Sequence, residues 1–151
     1  MKPQEPIGRF DSASGLWVQT EEHWTCDLSG DRTLIVTAGA TSDGASVPLN
    51  TPFSPRYESR SFTPAYTHDQ LYAAELLPRA ECDREFLRLM RVFGVPEWQS
   101  LAYYIAVRVF GWSVWRKHTP DSIRTARRHA EIVDTNARVS AIKLQQIWAN
   151  A

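Results

Sequence analysis

Pro64-Ala65-Tyr66-Thr67-His68-Asp69-Gln70-Leu71-Tyr72 sets a histidine, a carboxylate and a phenol within five residues of one another, among apolar side chains. Read as a helix, the stretch puts His68 and Tyr72 one turn apart on one face and turns Asp69 about 100° away. A second helix-like run, Arg79 to Phe93, follows directly and carries Asp83 near its start. Two short adjacent helices can bring a carboxylate of one against an imidazole of the other. That is the arrangement of a general base whose far nitrogen is held by an acid. A histidine packed into the core and tied to a neighbouring acid has the same spacing, so the residues alone leave both readings open.

Upstream, Leu16-Trp17-Val18-Gln19-Thr20 and Thr33-Leu34-Ile35-Val36-Thr37 are rich in β-branched and apolar residues and predict strands. Ser29-Gly30-Asp31 between them is a turn signal, with Trp24-Thr25-Cys26 as the near arm of a hairpin. Ala38 to Pro48 is a small-residue loop around Asp43-Gly44. Such a loop lets the Asp43 carboxylate approach another group closely, as a cation site or an anchor requires. Asp43 and Ser46 could equally satisfy only their own turn. Residues 49–63 read as a proline-stiffened connection into the His68 helix.

Downstream, Pro78 suits the first turn of a new helix, where its missing N–H costs nothing. Cys82, Phe86, Leu89 or Met90, and Phe93 recur at three-to-four spacing and predict one buried stripe. Asp83 at the N-terminal end of this helix also has an electrostatic reason to be there. Gly94 then ends the helix and Pro96 opens the next. Trp98 to Trp115 is the most apolar segment, and Arg108 near its middle argues for a core helix over a membrane span. An ion pair of Arg108 with a buried carboxylate such as Asp43 would cement it. Thr119-Pro120-Asp121 is a helix start. Ile123, Ala126, Ala130, Val133, Ala137, Ser140, Leu144 and Ile147 then predict a heptad seam along one long helix.

At 151 residues the chain has the size of one domain with a real core. Lys+Arg and Asp+Glu both number 17, so no global field draws it to nucleic acid. Arg124, Arg127 and Arg128 are followed by Glu131 and Asp134 and read as a solvated face. Two cysteines, Cys26 and Cys82, do not demand a disulfide, which fits a reducing compartment. The N-terminus lacks the apolar stretch of a signal peptide. The fold class that follows is α+β, mainly α: a small N-terminal antiparallel sheet packed on a helical core, with a long C-terminal helix. Its parts are an arm over residues 1–15, a core domain over 16–115 and the C-terminal helix over 116–151.

Three blocks carry a resemblance: Thr33-Leu34-Ile35-Val36-Thr37 running into Ser42 to Pro48, then His68-Asp69-Gln70-Leu71-Tyr72, then Ala80 to Phe86 with Ala106 to Gly111. Over residues 15–115 the chain resembles the phage and prophage family catalogued as domain of unknown function 1353. That resemblance implies a viral or prophage source, in the host cytoplasm or the virion, and no established activity. His68-Asp69 with Tyr72, then Cys82-Asp83 and Phe86, is also similar to the paired-helix signature of phospholipases A-2. The likeness implies His68 as the water-activating base, Asp69 as a calcium ligand, Asp83 as the orienting acid and Tyr72 as its support. Calcium would be the cofactor and a phospholipid membrane surface the partner. The other reading is a non-enzymatic virion or tail-associated protein that contacts other phage proteins, or itself, through the C-terminal helix. A metal-dependent phosphohydrolase would want more histidines than His23, His118 and His129 supply at this spacing.

Overall fold

The computed structural model describes residues 3–43, 59–139 and 146. Along the chain these form β1 (Gly8–Asp11), β2 (Leu16–Gln19), β3 (His23–Leu28), β4 (Arg32–Thr37), β5 (Thr41–Ser42), α1 (Ser59–Ala73), α2 (Arg79–Val92), α3 (Glu97–Trp115), α4 (Pro120–Ala126) and β6 (Ala130–Asp134). Residues 135–139 are helical as well.

Trp24, Cys26 and Leu28 alternate with more exposed neighbours, which sets the period of β3. β3 and β4 form an antiparallel hairpin from Leu28↔Arg32 to His23↔Thr37. At its tip Gly30 and Asp31 both take positive φ, 73° and 53°, a conformation that Gly, Asn and Asp tolerate best. The other strands do not extend this hairpin into one sheet. β1, β2 and β5 form a separate antiparallel sheet, in that order, and β3, β4 and β6 form the second.

The expected single N-terminal sheet on a mainly helical core is therefore corrected to two three-stranded antiparallel sheets with the helices beside them. Residues 8–11, within the stretch read as an arm, pair with β2 from Gly8↔Gln19 to Asp11↔Leu16. The long C-terminal helix is also overturned. α4 starts as expected, with a reciprocal capping box between Thr119 and Ser122, but it stops at Ala126. β6 follows and pairs along the open edge of β4, from Val36↔Ala130 to Arg32↔Asp134. The heptad seam over this stretch is made mostly of small residues and buries little, whereas β-branched Ile132 and Val133 fit a sheet edge that needs hydrogen-bond partners. Positions 140–145 and 147–151 of that seam lie outside the described residues, as do residues 44–58 of the loop and the proline-rich connection.

The helices pack α1 on α2 and α2 on α3. α1 begins at Ser59, earlier than the proline-rich reading placed it, and carries Pro64 inside it. A buried polar network joins α1 to both sheets. The Tyr66 hydroxyl donates to Gln19 Oε1 at 2.6 Å, and Gln19 Nε2 donates to the Val36 and Glu21 carbonyls at 2.9 Å each. α3 is not the core helix that its apolarity suggests: its only buried residues are Ser100 and Tyr103. Trp98, Leu101, Ile105, Val109 and Trp112 stand exposed along it at three-to-four spacing. Among the described residues no helix is long and apolar enough to cross a membrane.

Candidate active site

The i, i+4 spacing on α1 lays the Tyr72 ring against the His68 imidazole, with centroids 4.4 Å apart, and α2 adds Phe86 at 4.9 Å. α2 also delivers Asp83, whose Oδ1 lies 2.8 Å from His68 Nε2. Asp83 is fully buried and His68 is 8% exposed. α3 supplies a third member: Arg108 Nη1 donates to Asp83 Oδ2 at 2.8 Å. Arg79, one turn before Asp83 on α2, stands 3.6 Å from the same oxygen. Burial pushes the Asp83 carboxyl up, but the hydrogen bonds from His68 and Arg108 outweigh it and hold the carboxyl below its ordinary range. Asp83 is thus an ionised acceptor at neutral pH, so His68 must donate through Nε2–H, which leaves Nδ1 as the lone-pair nitrogen of the neutral ring. Nδ1 makes no hydrogen bond among the described residues.

His68 lines a cavity of about 260 Å³ between α1, α2, α3 and β5. Its walls are largely apolar, with Leu16, Ala65, Phe86, Val107, Phe110 and Val114 among them. Gly111 lets α3 close on α1 here: a Cβ at that position would sit 2.5 Å from the Tyr72 hydroxyl oxygen. That hydroxyl is buried without a hydrogen-bond partner among the described residues. Burial raises its pKa, with nearby Arg79 pulling the other way. Asp83 is therefore held by the two arginines and not by Tyr72, and Arg108 pairs with Asp83 and not with Asp43.

Asp69 turns away from the His68 face, as the helical period requires, and accepts a hydrogen bond from the Ser42 hydroxyl of β5. Burial, and then the negative charge of Asp43, raise the Asp69 carboxyl well above its ordinary range, against the Ser42 hydrogen bond. So the two carboxylates named from the sequence as metal ligands do stand together, on the wall of the His68 cavity. With Ser42 they offer oxygen donors of the kind a hard divalent cation takes. Among the described residues no group of three or more His, Cys, Asp or Glu side chains converges on one point.

The cavity also holds a pair that the sequence reading passed over. His118, in the turn after α3, lines it, and its Nδ1 lies 2.9 Å from Glu75 Oε1 in the turn after α1. The two are 43 residues apart, and no motif connects them. Arg79 was legible in principle, since it precedes Asp83 by one helical turn. Cys26 and Cys82 are both free and buried, and burial pushes their thiols up to about 11 and about 12, so neither is a nucleophile at neutral pH.

A family model described as a protein of unknown function, DUF1353, matches residues 17–107. No curated protein and no solved structure matches the chain.

Proposed function

The chain belongs to the DUF1353 family of proteins of unknown function, and from the site it carries we propose that it hydrolyses an ester of a lipid. The observation that carries this reading is the His68–Asp83 hydrogen bond of 2.8 Å on the wall of an apolar cavity. Asp83 fixes the tautomer and the ring angle of His68. Tyr72 and Phe86 pack against the ring at tilted angles of 33° and 39°, so little reorganisation is left for the reacting state. Nδ1 takes a proton from water as that water attacks the acyl carbon. The apolar part of the cavity wall, Leu16, Ala65, Phe86, Val107, Phe110 and Val114, suits an acyl chain.

Asp69, Asp43 and the Ser42 hydroxyl are the residues that would hold calcium, the cofactor that the phospholipase likeness implies. The raised Asp69 carboxyl beside Asp43 supports the assignment, because two crowded carboxyls take up either a shared proton or a cation. Bound there, calcium would supply positive charge near the developing oxyanion. The exposed apolar stripe of α3 supports a phospholipid surface as partner, since Phe110 and Val114 of the same helix line the cavity. In the phage or prophage setting that the resemblance implies, such an enzyme would act on host membrane during infection or release.

The same stripe favours a second reading. A viral structural component would use it against another protein, with His68, Asp83 and Arg108 as a buried tie between helices. Fatty-acid release from mixed phospholipid vesicles, with calcium and then with a chelator, separates the two. Calcium-dependent release that disappears in His68→Ala supports the esterase; no release from folded wild type leaves the structural component.

A further inference from the structure

Two histidines, not one, line the cavity. Each is pinned to a carboxylate through one ring nitrogen: His68 through Nε2 to Asp83 at 2.8 Å, and His118 through Nδ1 to Glu75 at 2.9 Å. Opposite nitrogens are left over, Nδ1 of His68 and Nε2 of His118. The ring of Tyr72 neighbours both imidazoles, its centroid 4.4 Å from His68 and 6.3 Å from His118. Trp115 closes the group, 4.9 Å from Tyr72 and 5.5 Å from His118. The His118 side chain is 14% exposed, so it is set into this aromatic wall and does not wave in solvent.

Its partner is placed at some conformational cost. Glu75 has φ 44°, a region that L residues other than Asn and Asp seldom enter. Arg127, just past the end of α4, holds it there, donating to the Ala74 carbonyl at 2.8 Å and to the Glu75 carbonyl at 3.1 Å. The turn that follows α1 is thus clamped so that the Glu75 carboxylate meets the His118 imidazole.

We propose that His118, oriented by Glu75, is the general acid of this cavity and protonates the leaving oxygen when the ester bond breaks. This rests on the ester-hydrolase reading of His68. Water gives a proton to His68 Nδ1 while its oxygen bonds to the acyl carbon and the carbonyl π pair moves onto oxygen. As the carbonyl reforms, the carbon–alkoxy bond breaks, and its electron pair leaves on the alkoxy oxygen. That oxygen takes the proton from His118 Nε2. The products are a carboxylic acid and an alcohol, and the two imidazoles are reset by exchanging one proton through solvent. An alkoxide is too basic to leave unprotonated into walls of Leu16, Val107 and Phe110, so a donor at this position has chemical work to do.

The test compares two esters with the same acyl chain, an alkyl ester and a p-nitrophenyl ester, whose phenoxide departs without a proton. For His118→Gln, kcat on the alkyl ester should fall about 100-fold or more, with the p-nitrophenyl ester changed less than about threefold. Retained cleavage of the activated ester also reports that the variant is folded. Glu75→Gln, which keeps a hydrogen-bond partner for Nδ1 and removes the charge, should show the same split at smaller size. Equal losses on both esters in both variants, or no loss on the alkyl ester, overturn the assignment of His118 and leave His68 untouched. His68→Ala should lose both esters. A folded wild type that cleaves neither ester overturns both proposals together.

Discussion

Replacing Asp83 by Asn tests the centre of the site in one atom. The Asp83 carboxylate has no exposure and takes hydrogen bonds from His68 Nε2 and Arg108 Nη1, both at 2.8 Å. An amide in its place has one acceptor oxygen for two donors, and its NH₂ faces a guanidinium or an imidazole. Breaking a buried ion pair by removing one partner costs about 3–5 kcal/mol. The Arg108 and Arg79 side chains are 34% and 19% exposed, so water can recover part of their solvation. That places the cost near the lower end, at about 3 kcal/mol. With a urea slope of about 2 kcal/mol/M, the midpoint should fall by about 1.5 M at unchanged slope.

The pH dependence follows from the depressed carboxyl. A group whose folded pKa lies below its unfolded value stabilises the fold above the unfolded pKa, and that contribution fades as pH falls through the folded pKa. For Asp83 the unfolded reference is its ordinary value of 3.8. The Asp83 contribution to the difference between wild type and Asp83→Asn should therefore shrink as the pH falls below about 4. Arg108→Met in the Asp83→Asn background should recover about 1 kcal/mol or more, because the unpaired cation is gone. A midpoint shift under about 0.5 M, or strictly additive costs in the double variant, would refute the buried ion pair as the organiser of the site.

Tyr66→Phe strips Gln19 Oε1 of its buried donor and should cost about 1–3 kcal/mol in denaturant unfolding. Gly111→Ala drives a methyl to 2.5 Å from the Tyr72 hydroxyl and should cost a similar ~1–3 kcal/mol while displacing Tyr72 from His68. Calcium at about 100 times its dissociation constant should stabilise the wild type by about 2.7 kcal/mol, read as a rise in Tm, and leave Asp69→Asn unmoved.

Local period and turn chemistry made part of this molecule readable. The β3–β4 hairpin followed from alternation around Ser29-Gly30-Asp31, and α2 from the stripe at Cys82, Phe86 and Leu89. The meeting of His68 with Asp83 followed from two adjacent short helices, because sequence neighbours tend to pack. The parts that did not follow depend on distant partners. β6 exists because β4 leaves an edge open about 100 residues earlier in the chain, and no local signal at Ile132-Val133 reports that edge. Arg108 could be seen to need a carboxylate, but the choice of Asp83 over Asp43 is made by how α3 lies on α2. α3 itself was misread because hydropathy measures the residues and not what covers them. His118 and Glu75 sit at the ends of two helices whose ends meet only in the fold.

The most direct measurement is hydrolysis of phospholipid vesicles in water enriched in oxygen-18, with mass analysis of the fatty acid released. If His68 activates water at the acyl carbon, each acid released by the wild type carries one labelled oxygen, and His68→Ala releases none above background. Folded wild type that yields no labelled acid, or His68→Ala that yields as much as wild type, would contradict the account.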